Sequence, residues 1–421
     1  MEDIHSLVAH FLQQQGYTDT LEQFEKDYGR AIKPQPLPYT HETLVEIVND
    51  RIQFEQLHHK VKSFELDQDD QIKHNIELMD IINHQIVHWS VPFPHTSVNL
   101  GTITGNPISM TNHPTTGHVF IATSDRKLYD FDVVRRTMSC IPMESIFKVV
   151  VGINDGQLIL VGMDGKFYRY SDDMKLINSI QAHKRLVVDV KYVKFEGTDY
   201  VVSLGWDNML KIFKLGEAID LVSELTMRYS GTAGTSIDVT AYNDQLMIVV
   251  AKSDITLLDV ITFKSELQFQ YNISINDAEF SSTGFSPRHL SIQHCQGQVP
   301  LVAIATSHEP YMRLIIVSLN QTSDGETTIH RNQILKNINT LSPQHKLSQP
   351  LIQWRAPKNG KSQGVWVMGD DGKIRTIDLL GGESESFDGH DGAIKHCVTC
   401  EGGTELFITC GMDKMVKMWT C

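Results

Sequence analysis

Apolar and polar positions change their period once along this chain. Over the first thirty residues they recur at helical spacing: Ile4, Leu7, Val8, Phe11 and Leu12 fall at i, i+3, i+4, i+7 and i+8, one stripe of a helix whose other face is polar. Gly16 suits a left-handed stop to that helix. Asp19 and Glu22 are placed to satisfy the first amides of a second helix, whose apolar positions are Leu21, Phe24 and Tyr28 and which Gly29 ends. Two helices this short bury little by themselves, so their apolar faces need a further surface. Pro34, Pro36 and Pro38 in "KPQPLP" bar helix and predict an extended connector. From Thr40, the positions Leu44, Ile47, Val48, Ile52, Leu57, Val61 and Phe64 predict a long helix, interrupted by the acidic "DQDD" at 67–70. A further helix is predicted from Ile72 to about Val87. In it Ile72, Met79 and Ile86 lie seven apart with Ile76 and Ile82 between them, a pattern that fits either a short coiled coil or a helix packed on the domain C-terminal to it.

From about residue 100 the helical period gives way to short apolar strands separated by Gly, Asp and Asn turns, which predicts an all-β region. Its segments repeat. "VVSLGWDNMLKIF" and "LFITCGMDKMVKMW" each carry an aspartate (Asp207, Asp413) six residues before an aromatic and a hydroxyl (Ser203, Thr409) ten before it. A loop histidine precedes each, His183 in "QAHK" and His390 in "DGHDG". Alignment on the turn aspartate adds "FIATSDRKLYDF" (Asp125), "LILVGMDGKFYRY" (Asp164) and "VWVMGDDGKIRTI" (Asp371). "LMIVVAKSDITLL" joins them with Lys252 at the aspartate position, and "LVAIATSHEPYMRLIIV" with a longer turn. These are seven units, centred near residues 120, 160, 200, 250, 300, 365 and 410. If the units are to form a closed ring of sheets, the last needs a further outer strand, and "TSVNLGTIT" at 96–104, just before the first unit, is placed to supply it and leave no free sheet edge.

These residues carry two resemblances. Leu7, Phe11, Leu12, Gly16, Tyr17, Thr20, Leu21, Phe24, Glu25 and Gly29 resemble the LisH (lissencephaly-homology) motif. The resemblance implies a helical hairpin that pairs with a second copy into a four-helix bundle, burying Ile4, Leu7, Val8, Phe11, Leu12, Tyr17, Leu21 and Phe24 between chains; packing on its own chain is the alternative. The repeats resemble the WD-repeat family, in which each repeat supplies four strands to a propeller. That resemblance implies a buried hydrogen-bonded tetrad of His390, Thr409, Asp413 and Trp419, and a truncated one of His183, Ser203 and Asp207, where Phe213 replaces the tryptophan. The expected fold is therefore mainly β: a seven-bladed WD-repeat propeller over 91–421 preceded by an α-helical LisH dimerisation region. That region comprises a hairpin over 1–33, a linker over 34–39 and a helical or short coiled-coil stretch over 40–90. The same resemblance singles out a partner-binding face at Trp206, Met163, Met412, Ser124 and Asp370, with Lys184 and Arg185 beside His183. A large aromatic at a loop tip contributes strongly to interfaces, unless it folds back on its own blade.

Composition narrows the function. The 421 residues are 41% hydrophobic and 21% charged, ordinary for a globular protein, and the net charge of −14 argues against nucleic acid or an anionic membrane as partner. The opening residues lack the basic and continuous apolar features of a secretory signal, and no window is long enough to span a membrane, so cytosol or nucleus is the expected location. Six cysteines in so long a chain are expected as free thiols, and the glycosylation patterns at Asn272 and Asn320 are set aside. No phosphate loop, nucleophile elbow or zinc helix occurs. Cys397-x-x-Cys400 lies on a strand, whose alternation sends the two thiols to opposite faces, so no metal is expected. "LHHK" at 57–60 falls on a predicted helix, where adjacent side chains point apart. No catalytic residue and no cofactor are nominated. The expected role is a dimeric, non-enzymatic scaffold whose partners are a second copy and proteins held by the propeller. The alternative is a ubiquitin-ligase subunit, since "FIATSDRKLYDFD" resembles a motif for cullin-type adaptors except at its last position, where Asp132 replaces Arg or Lys.

Overall fold

In the computed structural model the described residues are 2–36, 43–49, 68–89, 96–227, 232–276, 284–319, 329–331, 333–381, 384–400 and 406–420. They fall into two compact units, one running to Ile76 and the other from Glu77.

The first unit opens with α1 (Glu2–Gln14) and α2 (Thr18–Tyr28). Gly16 takes φ +76°, and the amides of Gly16 and Tyr17 reach back to the carbonyls of Gln13 and Leu12 at 3.1 and 2.9 Å. This pair of hydrogen bonds closes α1 in a Schellman turn and satisfies carbonyls that its last turn would leave open. Because Tyr17 is consumed in that turn, α2 begins at once at Thr18. Its N-cap is Tyr17 with no side-chain bond, so Asp19 sits in the first turn as a charge favourable to the helix dipole instead of capping it. The two helices meet through His5, which stacks on Tyr28 at 4.3 Å and Phe24 at 6.0 Å. A capping box starts α3 (44–49): the Thr43 amide donates to Glu46 Oε2 at 2.7 Å and the Glu46 amide to Thr43 Oγ1 at 3.3 Å. The helix expected from Thr40 thus begins after Thr43, and its positions from Ile52 to Phe64, with the "LHHK" group, lie outside the described residues.

In the second unit, seven antiparallel sheets follow one another along the chain. Blade 1 is β2–β5 (Pro107–Pro142), blade 2 is β6–β9 (Phe147–Gln181) and blade 3 is β10–β13 (Val187–Thr226). Blade 4 is β14–β17 (Gly234–Ser274), to whose outer strand β21 (Ile329–His330) adds in parallel. Blade 5 is β18 (Pro287–Gln293), β19 (Leu301–Thr306), β20 (Tyr311–Ser318) and β22 (Ile334–Pro343), and blade 6 is β23–β26 (Leu351–Asp388). Blade 7 combines β27–β29 (Ile394–Thr420) with β1 (Thr96–Thr102), which pairs with β29 so that Ser97 faces Trp419. The structure is the expected seven-bladed propeller, closed by the segment the sequence nominated.

The core lies between the blades. Each of the seven apolar clusters bridges two neighbours, and the strands sort their side chains accordingly: in β15 (Gln245–Lys252), Leu246, Ile248 and Val250 face blade 3 while Met247, Val249 and Ala251 face blade 5. A strand buried on both faces must be apolar throughout, which is why "QLMIVVA" and its equivalents lack alternation. At the inner strands, polar side chains bind the backbone of the next blade. Ser109 Oγ accepts the Val150 amide at 3.0 Å, Asp189 Oδ2 the Ile237 amide at 3.0 Å, and Ser236 Oγ the Leu290 amide at 3.2 Å.

From Glu77 onward α4 (Gln68–Gln85) belongs to this unit. Leu78, Ile81, Ile82 and Ile86 pack on the cluster between blades 5 and 6, whereas Met79 is exposed. The heptad spacing therefore does not form one seam, since Met79 and Ile86 face different surroundings and the packing face is offset from it. Beyond the helix the Val87 amide bonds the Ser362 carbonyl at 2.9 Å. Trp89 then lies edge-on to Trp366 at 4.7 Å with the Arg355 guanidinium 4.5 Å above it.

Candidate functional site

The polar residues common to the repeats form closed networks. In blade 7 the Trp419 indole N–H donates to Thr409 Oγ1 at 2.9 Å, Thr409 lies 2.8 Å from His390 Nε2, and His390 Nδ1 lies 2.9 Å from Asp413 Oδ1. These distances define one relay: Trp419 donates to Thr409, Thr409 to Nε2, and Nδ1–H to the carboxylate, with a neutral imidazole. Burial pushes the His390 pKa down against the pull of Asp413. Burial also opposes the Asp413 charge, but the bonds from His390 and from the Met415 amide outweigh it and hold the carboxyl below its ordinary value. In blade 3, His183 bonds Asp207 and Ser203, both at 2.8 Å, and the relay stops there because Phe213 has no donor.

The remaining blades satisfy the same turn with other chemistry. Asp125 accepts from Thr123 at 2.6 Å and from Thr104, Asp164 from the Tyr168 hydroxyl at 3.1 Å, and Asp371 from the Arg375 fork at 3.0 and 2.7 Å. In blade 4, Lys252 is fully buried and pairs with Asp259 at 2.6 Å, which also accepts from Asn272 at 2.6 Å. Asn272 is thus an interior hydrogen-bond donor, inaccessible to the modification its sequence pattern matches. Asp125, Asp164 and Asp371 are each engaged at a turn and Asp259 ties its strand to Lys252, arrangements that stiffen a blade.

The residues before the turn aspartates lie at one end of the propeller. The amides of Ser124, Trp206 and Met412 bond the carbonyls of Asn106, Leu186 and Ala393 at 2.9 Å, at or near the starts of the inner strands, and Ser253 and Ser307 do the same in blades 4 and 5. On this face Trp206 is 54% exposed, Met163 48% and Met412 40%. Lys184, Arg185 and Ser124 are exposed as well, while Asp370 is half-buried 3.7 Å from Lys395. The Trp206 ring is therefore presented outward. The first unit leaves Ile4 62% exposed and Tyr17 exposed, with Val8, Phe11, Leu12, Leu21 and Phe24 half-buried and Leu7 buried.

An axial channel of about 1150 Å³ runs between the inner strands of all seven blades. The repeated turn segments carry no sign of it, because its lining comes mostly from the strands that precede them. Its polar wall includes Lys148, Asp189, Lys191, Asp238, His289 and His396. Burial, with nearby lysines, pushes the pKa of both histidines down to about 4.

Among the described residues no cluster of three or more metal-ligating side chains occurs, and no helix is long and apolar enough to cross a membrane. Cys397 is packed between blades 6 and 7 with its thiol pKa pushed well up by burial. Asp132, at the position where the adaptor motif wants a cation, accepts the Arg135 amide at 2.9 Å and lies 3.8 Å from His118.

Sequence comparison finds two matching profiles, described as the UCP007778 LisH domain over residues 2–33 and the UCP007778 β-propeller domain over residues 66–420. An uncharacterised protein of Saccharomyces cerevisiae, YGR117C, is 25% identical over 432 residues, covering 90% of this chain and 87% of the yeast protein. Among solved structures, BBS1N from its complex with ARL6DN is similar at a TM-score of 0.58 and 14% identity, covering 79% of this chain and 97% of that one. That likeness concerns the fold alone.

Proposed function

Since the chain belongs to the UCP007778 family, in which a LisH domain is joined to a β-propeller, we propose that it is a non-enzymatic, dimeric scaffold for protein assembly. The observation that carries this reading is the set of exposed apolar side chains at equivalent hairpin tips, Met163, Trp206 and Met412, around one end of the propeller. Exposed aromatic and methionine side chains there cost solvation unless a partner covers them, and such residues dominate protein interfaces. Pairing through the LisH hairpin would cover Ile4 and Tyr17 and present two propellers together, so that a second engagement benefits from the first.

Light scattering tests the dimer: full-length protein is expected at twice the chain mass, and Phe11→Asp or removal of residues 1–38 at one. An unchanged mass in both variants sinks the pairing. Affinity capture with full-length protein tests the face, with Trp206→Ala expected to lose partners that the native chain retains. Partners captured equally by both would place recognition elsewhere.

A further inference from the structure

The inner strands share an irregularity that bears on the channel. Six of the seven carry a β-bulge just after their first residue, at Ile108, Lys148, Val188, Thr235, Arg288 and Lys395. A bulge re-aims side chains locally, and all six residues line the channel. Three of them are cationic, and they come from blades 2, 5 and 7, so they surround the axis at one level without being neighbours. They lie at the end where the inner strands begin, the end that also carries Trp206.

These cations are not balanced by the acids nearby. Among the described residues the side chains of Lys148 and Arg288 have no hydrogen bond or ion pair, and Lys395 has only the loose 3.7 Å contact with Asp370. The two channel aspartates are engaged elsewhere: Asp189 lies 4.0 Å from Lys191 Nζ and holds the Ile237 amide, and Asp238 holds the Ile292 amide at 2.6 Å. One level further in, His289 Nδ1 is enclosed without a partner.

We propose that this mouth of the channel binds a small, multiply charged phosphate compound, held by Lys148, Arg288 and Lys395, with His289 as an inner hydrogen-bonding group. A single carboxylate or phosphate could satisfy one of the three cations, whereas charges spread around a compact molecule on the axis can meet all three. The channel volume accommodates a ligand of that size. With their pKa values pushed down to about 4 by burial, the two channel histidines add no positive charge near pH 7, so the attraction for an anion comes from the lysine and arginine side chains. The site is independent of the scaffold reading, because ligand binding needs neither a dimer nor a partner on Trp206.

The test is calorimetric titration of the full-length protein with tripolyphosphate and with inositol hexakisphosphate. Saturable binding of at least one is expected, weakened at least about ten-fold by Lys148→Ala and by Arg288→Ala, since each removes a charge-assisted bond. Lys148→Arg should retain it, and Lys264→Ala, in an exposed turn of blade 4 outside the channel, should leave it unchanged. A melting temperature close to the native value establishes that each variant is folded. Failure of both probes to bind, survival of binding in the Lys148→Ala/Arg288→Ala double variant, or an equal loss in Lys264→Ala would overturn the proposal. Displacement of the probes by an acidic, unphosphorylated peptide at similar concentration would overturn it too, in favour of a polypeptide occupant.

Discussion

The indole of Trp419 reaches the hydroxyl of Thr409 across 2.9 Å, and through it the chain of donors runs to His390 and Asp413 without reversal. Truncation at the end of this relay and in its middle should therefore have unequal effects. Trp419→Phe reproduces the arrangement around Phe213 and leaves one hydroxyl lone pair unused, at a cost of about 1 kcal/mol. Thr409→Val strands both the Trp419 N–H and His390 Nε2 in a dry interior and should cost about 2–4 kcal/mol. Urea unfolding of the three proteins checks the order.

Lys252 and Asp259 offer a second comparison. Replacing Asp259 by Asn leaves a buried ammonium without its counter-charge, expected to cost about 3–5 kcal/mol. The double replacement Lys252→Met/Asp259→Leu removes both charges and should cost clearly less than either single change. A double-mutant cycle that came out additive would show that the pair is not coupled.

Acid should weaken the fold in two stages. His183, His289, His308, His390 and His396 all have native pKa values below the ordinary 6.5, to about 4 for His289, His308 and His396. Between those values and 6.5 the unfolded chain binds protons that the native one does not, so stability falls as pH is lowered through that window. Asp207 and Asp413 have native pKa values below 3.8, and their contribution is lost only at lower pH still. Melting temperatures should decline from pH 7 to pH 4, before the carboxylates protonate; a flat profile would contradict the neutral, buried imidazoles.

At Gly364 a Cβ would stand 2.5 Å from Trp89 Cε3 and 2.3 Å from the Ile377 carbonyl. Gly364→Ala should therefore displace Trp89 and cost about 1–3 kcal/mol. A change in tryptophan emission accompanying the loss of stability is the expected signature, and unchanged emission would mean that the backbone, not the indole, had moved.

Much of this was legible in the sequence, for identifiable reasons. The hairpins could be read because their paired apolar runs and turn aspartates are local, and even Lys252 announced itself by standing in an aspartate's place. Gly16 and Gly29 marked the helix ends because few other residues adopt their φ of +76° and +80° at low cost. The features that the sequence hides depend on pairs distant along it. Asp189 serves an amide at Ile237, Asn272 completes a pair with Asp259, and Lys148 shares a level with Arg288 and Lys395 only once the ring is closed. Asp19 departs from its expected capping role for a local reason, because the Schellman turn consumes the residue that would have given it room to cap.

The pairing of β1 with β29 also governs how the protein is made. β1 emerges from the ribosome ahead of every blade, and its partner emerges after all of them, so the nascent chain carries an unpaired strand edge throughout synthesis. Joining ends so far apart costs loop-closure entropy that no local contact repays, which makes ring closure a late and slow event. Cells with ample chaperone capacity should yield more native protein than those without, and the yield should be most sensitive to changes in these two strands.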